Sequence, residues 1–170
     1  METEKKMVKI NIFDVAVTAN KLGSFIVKNA IKIQEESGFL IIKCREDNGD
    51  IKATYIAQSD IISYATPEDI DFKEGESRFT YDIVVDIYDA INDKISSCSI
   101  KEVLQDSIKD DKYIVKSKVE ITPEGKLLCN NHHIDKSRIL RIEKSNFKSF
   151  SYTSTLNTKE SNENEENTTD

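Results

Sequence analysis

The 170-residue chain has no tryptophan, two prolines, two histidines, three cysteines and five glycines. Each scarcity closes off a class of function. None of the glycines forms a G-x-G-x-x-G or P-loop arrangement, so no motif cradles a phosphate and nucleotide chemistry has nothing to stand on. His132 and His133 are the only imidazoles, which limits the chain to a single histidine-based centre. Cys44, Cys98 and Cys129 are odd in number and widely spaced, which suits reduced thiols better than a disulfide framework. No stretch approaches the ~20 apolar residues that span a bilayer. The opening Met1-Glu2-Thr3-Glu4-Lys5-Lys6 leads into a strand-like run rather than a signal-peptide core, and the expectation is a cytoplasmic protein.

What the chain does have is charge: 32% of its residues are ionisable against 38% hydrophobic, enough for one core under a heavily ionised surface. The net charge of −7 is unevenly spread. Between Thr158 and Asp170 one Lys faces four Glu and one Asp, a net of −4, so Met1 to Asn157 carries −3. An acidic body disfavours non-specific nucleic-acid binding, because phosphate affinity comes from Lys and Arg displacing counterions. It leaves room for a localised basic face.

Periodicity divides the chain into a leader at 1–6, one α+β domain at 7–150 and a disordered acidic tail at 151–170. Val8, Ile10 and Ile12 alternate with polar residues and predict a strand over 7–13. Asp14 then stands as an N-cap before Val15, Ala19, Leu22, Ile26, Ala30 and Ile33, whose spacing predicts a helix over 14–34, weakened at Gly23. Strands follow at Phe39–Arg45, Ile51–Ala57 and Ile61–Ala65, the first two joined through Asn48-Gly49. Thr66 to Ser77 reads as loop. Ile83, Val84, Ile87, Tyr88 and Ile91 form a stripe that predicts a second helix over 81–92. Further strands are expected at Lys94–Ile100, Lys112–Thr122, Lys126–Asn131 and Ser137–Lys144, with a short helix or inserted loop at 101–111 and a turn at Pro123-Glu124-Gly125. The fold class is α+β: a mostly antiparallel sheet with two helices, arranged as two βαβββ-like halves.

The candidate chemistry is thin. Cys129, His132 and His133 are zinc-ligand types, but a structural site needs four ligands in separated pairs, and neighbouring residues on a strand point to opposite faces. A cysteine nucleophile needs a base in reach, and no cysteine-protease signature surrounds any of the three thiols. Cys44 sits in an apolar run and reads as core. Asp82, Asp86, Asp89 and Asp93 are explained as the solvated face of the second helix. No catalytic residue, metal or cofactor is expected, and the chain reads as a non-enzymatic binding protein.

Two stretches together resemble a known family. Gly49 to Thr66 reads G-D-I-K-A-T-Y-I-A-Q-S-D-I-I-S-Y-A-T, followed by the Glu74-Gly75-Glu76 loop and by Phe79 to Ile91. Later, Lys126 to Phe150 places L-L-C before a polar turn, then S-R-I-L-R-I and Asn146-Phe147. The pattern resembles one domain of the bacterial DNA polymerase sliding clamp, the beta subunit. The resemblance implies the βαβββ-twice architecture and an accessory role in DNA replication or repair, acting through protein contacts or self-assembly. Lys21, Lys28 and Lys32 of the first helix would then face DNA. Partners fitting this reading are replication or repair proteins, DNA and further copies of the chain, with no membrane. The competing expectation is a protein-interaction or regulatory module of a phage or plasmid with no DNA role.

Overall fold

A chain rich in β-branched and aromatic residues satisfies its backbone by pairing strands edge to edge. In the computed structural model, which describes residues 12–90 and 92–152, strands make up 77% and no α-helix occurs among the described residues. The strands are β1 (Phe13–Ala19), β2 (Gly23–Glu36), β3 (Phe39–Arg45), β4 (Ile51–Ala57), β5 (Ile61–Asp71), β6 (Ser77–Asp89), β7 (Lys94–Lys109), β8 (Lys112–Ile121), β9 (Lys126–Asp135) and β10 (Ile139–Ser151). The expected leader, residues 7–11 of the first expected strand and residues 153–170 of the expected tail lie outside the described residues. No described helix is long and apolar enough to cross a membrane. The expected α+β class with two helices is therefore corrected to an antiparallel β fold. The chain packs as two compact units, divided between Thr66 and Pro67.

In the first unit the strand order is β5-β1-β2-β3-β4. Val15, Val17, Ala30, Leu40, Ile42, Cys44, Ile56 and Tyr64 are buried on one face of that sheet. The predicted helix over 14–34 is a hairpin instead. β1 and β2 pair antiparallel, with Ala19 opposite Gly23, and Gly23 takes φ 74 where the chain reverses. Two β-bulges explain the helix-like spacing. The β1–β2 register slips between Val27 and Ala30, where Asn29 adopts φ 59. The β2–β3 register slips again between Ala30 and Lys32. Each extra residue turns a period of two into a step of three, so Val27, Ala30 and Ile33 all reach the same core. Asp14 does not cap a helix. Its carboxylate accepts the backbone N–H of Asn29 at 3.2 Å, satisfying an amide at the bulge.

β3 and β4 have the bounds that the sequence predicts, and Gly49 at φ 88 donates its N–H to the Glu46 carbonyl at 2.9 Å in the turn between them. β5 runs on to Asp71, well into the segment expected to be loop.

In the second unit β6 to β10 are ordered β10-β6-β7-β8-β9. The predicted second helix is the inner part of β6. Ile83, Val85 and Ile87 are buried and alternate with the half-buried Val84 and Asp86 and the exposed Tyr88. Ile83 and Ile87 satisfy both a helical and a strand period, and only the burial of Val85 separates the two. The expected break at 101–111 is likewise absent, since β7 continues unbroken to Lys109. A bulge at Glu102, with φ 52, throws Val103 onto the buried side and gives that stretch its irregular spacing.

Pro123-Glu124-Gly125 makes the expected turn, between β8 and β9. Gly125 sits at φ 79, and a Cβ there would lie 3.2 Å from the carbonyl oxygen of Phe72, whose N–H donates to Gly125 O at 2.9 Å. Gly38 has a similar φ of 80 with open space around it. Gly38→Ala should therefore cost about 1 kcal/mol, the left-handed penalty alone. Gly125→Ala should cost measurably more, because a backbone carbonyl must also move. Urea midpoints of the two variants check the order, and equal losses would contradict it.

Candidate functional site

In an antiparallel ladder, residues directly opposite one another share a face. The registers of β2, β3 and β4 therefore assemble a lattice on the side away from the first unit's core. Glu36, Phe39 and Ala57 form one row, and Gln34, Ile41 and Tyr55 the next. Lys32, Lys43 and Ala53 form a third, and Arg45 faces Ile51 in a fourth. Lys28 follows the core-packed Val27 and so turns to this side, just before the bulge.

The face has two chemical components. Lys28, Lys32, Lys43 and Arg45 carry four positive charges, and Glu36 is the one acid among the β2–β4 side chains just placed on it. Glu36 is already engaged, accepting the Gln34 amide at 2.8 Å. None of the four cations has an ion-pair partner among the described residues. Lys32 and Lys43 are direct cross-strand neighbours, an arrangement that destabilises a sheet on the order of 0.2–1 kcal/mol when nothing anionic lies nearby. The second component is aromatic. Tyr55 is 61% exposed and Phe39 42% exposed, with ring centroids 6.0 Å apart and planes at 77°. Ile41, opposite Tyr55, is buried on the same side.

Of the lysines that the sequence singles out, Lys28 and Lys32 lie on this face. Lys21 does not: it sits in the β1–β2 turn, where its backbone N–H donates to Asp60 Oδ1 at 2.9 Å. Lys43, Arg45, Phe39 and Tyr55 were missed. Local polarity in F-L-I-I-K-C-R and I-K-A-T-Y-I-A does not mark them as outward, which follows from the burial of Leu40, Ile42, Cys44 and Ile56 on the opposite face.

The remaining candidates are committed to structure. The four aspartates do not form a solvated helix face. Asp82 is only 8% exposed and accepts the Asn146 amide at 2.9 Å, the backbone N–H of Glu102 at 3.1 Å and Lys101 at 3.4 Å. Those bonds, the Asn146 amide foremost, hold its carboxyl down to about 2. Asp86 accepts the Ser97 hydroxyl at 2.7 Å and Arg141 at 2.9 Å, which lower its pKa. Asp89 accepts the Asn92 amide at 2.7 Å, and Asp93 the Tyr88 hydroxyl at 2.6 Å. Asp106 on β7 gathers the hydroxyls of Tyr81 and Tyr113 and the ammonium of Lys144. Burial pushes the Asp106 carboxyl up, but these donors outweigh it and leave the pKa below its ordinary value. Both phenols are pushed up, by burial first and by the carboxylate second, so they are held as donors.

His132 and His133 alternate along β9 opposite Val115 and Ile114 and so point to opposite faces. His132 Nε2 lies 3.1 Å from Ser117 Oγ, and burial lowers its pKa. Cys44 and Cys129 are buried and Cys98 is exposed. No group of three or more metal-ligating side chains forms among the described residues.

These shifts place two pH windows on stability. His132 has a folded pKa below its ordinary 6.5, so the unfolded chain takes up the proton first and stability falls as pH drops through 6.5. Asp82 has a folded pKa of about 2 against an ordinary 3.8, so its contribution is present above 3.8 and is lost as pH falls toward 2. Urea midpoints measured against pH should lose the upper step in His132→Gln and flatten in the lower window in Asp82→Asn. Unchanged profiles would refute the assignment. No protein-family model, curated protein or solved structure matches the chain.

Proposed function

We propose that the protein is a non-enzymatic binding protein that contacts nucleic acid through the outer face of β2, β3 and β4, as an accessory in DNA replication or repair. One observation carries the reading: Lys32 and Lys43 stand directly opposite each other without an anionic partner among the described residues, flanked by Lys28 and Arg45, in a chain whose net charge is −7. A sheet that places like charges together gains when a polyanion lies across them. The sliding-clamp resemblance suggested the DNA association, but the helices it implies do not occur among the described residues, so the proposal rests on the charged face alone. The mode of contact differs from what that resemblance implies, since the cations come from strands and not from helices lining a channel.

A competing reading is a protein-interaction or regulatory module of a phage or plasmid with no DNA role. It is favoured by Phe79 and Phe147 of the second unit, 72% and 70% exposed. The two readings part on one measurement. Retention on DNA at about 50 mM salt, with log affinity falling by about 3 per decade of salt for four neutralised phosphates, supports the first. Lys32→Glu combined with Lys43→Glu should abolish retention, whereas Lys21→Glu should leave it unchanged. Absence of retention at low salt would overturn the nucleic-acid reading in favour of the second.

A further inference from the structure

The basic face has features that bare phosphate binding does not require. Tyr55 and Phe39 keep large ring areas in water beside the lysines, where polar side chains would serve solubility better. Their neighbours in the lattice are small. Ala57 stands opposite Phe39, and Ala53 is two residues from Tyr55 on the same strand face. A planar group approaching either ring meets methyl groups on that side. The hydroxyl of Tyr55 has no hydrogen-bond partner among the described residues, and its ring packs edge-on against Phe39.

The angle between the rings narrows the choice of ligand. Bases in a duplex are parallel, stacked on each other and paired at their edges, so none offers a free face. Rings at 77° with centroids 6.0 Å apart cannot both stack on parallel bases. They can each take one base of a strand whose neighbouring bases are splayed, which only a single strand provides at low cost. The cations fit the same ligand. Lys43 lies in the row next to Tyr55, Lys32 lies across from Lys43, and Arg45 is two residues further along β3. The band is short, bounded by Glu36 at one end and by Glu46, Asp47 and Asp50 of the β3–β4 turn at the other. Acids at both ends repel phosphates and confine the footprint to a few nucleotides. Among the described residues the amide beside the rings is Gln34, which already gives one N–H to Glu36, so stacking rather than base-edge readout is expected to carry the contact. Binding of this kind tolerates any base.

We propose that this face selects single-stranded DNA, with consecutive bases stacked on Tyr55 and Phe39 and the backbone phosphates on Lys43, Lys32 and Arg45. The proposal rests on the nucleic-acid reading above and adds to it the strandedness and the two aromatic platforms.

The test uses the full chain with an oligothymidylate of about twelve nucleotides and a duplex of the same length. Binding is read by anisotropy of a labelled oligonucleotide and by quenching of intrinsic tyrosine emission, which the absence of tryptophan leaves uncovered. The single strand should bind at least about tenfold more tightly than the duplex. Tyr55→Ala should weaken the single strand by about tenfold and leave the duplex unaffected, while Tyr55→Phe should keep the affinity within about twofold. Tyr55→Leu retains an apolar side chain without a π-face and should behave as Tyr55→Ala, which separates stacking from a folding defect. Equal affinity for the two oligonucleotides, or single-strand affinity indifferent to Tyr55→Ala and Tyr55→Leu, overturns single-strand selection while the broader reading stands. Failure of the unaltered protein to bind either oligonucleotide at about 50 mM salt overturns the broader reading itself.

Discussion

Strand register is the constraint on which the rest of this protein depends. A slip of one residue exchanges the two faces of a strand, so the buried set and the outward set are fixed together. In the first unit the burial of Leu40, Ile42 and Cys44 on β3 pins the register against β2 and β4. The same pinning forces Phe39, Lys43 and Arg45 outward and sets them beside Tyr55 and Lys32. The proposed binding face is therefore the reverse of the core, and any substitution that shifted the β3 register would dismantle both.

The bulges are what make such a register attainable. Asn29 and Glu102 occupy positive φ, which for residues with a side chain needs support from the surroundings. Each is supported by a carboxylate: Asp14 accepts the Asn29 N–H, and Asp82 accepts the Glu102 N–H. A single acid thus serves both as the partner for an amide at the bulge and as the reason a strained residue is tolerated. Asp82 adds the Asn146 amide of β10 and Lys101 of β7, so three strands meet at one side chain.

This use of acids also resolves the tension between a net charge of −7 and a proposed polyanion ligand. In the second unit Asp82, Asp86 and Asp106 are neutralised locally by donors from neighbouring strands, and Lys101, Arg141 and Lys144 are engaged in return. In the first unit Lys28, Lys32, Lys43 and Arg45 are left without such partners among the described residues. Net charge describes the sum, whereas a ligand centred on the β2–β4 face meets these cations first and the acids only at the two ends of the band.

The sequence by itself determined the short, regular parts. Phe39–Arg45 and Ile51–Ala57, joined at Asn48-Gly49, are strands because a β-rich composition and the turn residues agree with one another. It also ruled out motif-borne nucleotide chemistry, through the scarcity and placement of Gly. It misassigned 14–34 and 81–92 because a bulged strand and an amphipathic helix both bring every third or fourth residue to one side. Val27, Ala30 and Ile33 satisfy either, and only the partner strand shows which applies. Lys28 and Lys32 were expected, with Lys21, to face DNA from a helix, but their company on a sheet was not legible. Lys32 meets Lys43, and Phe39 meets Tyr55, across strands whose pairing is set by burial of the opposite face. That juxtaposition was decided by tertiary structure alone, since cross-strand neighbours leave no mark in local sequence spacing.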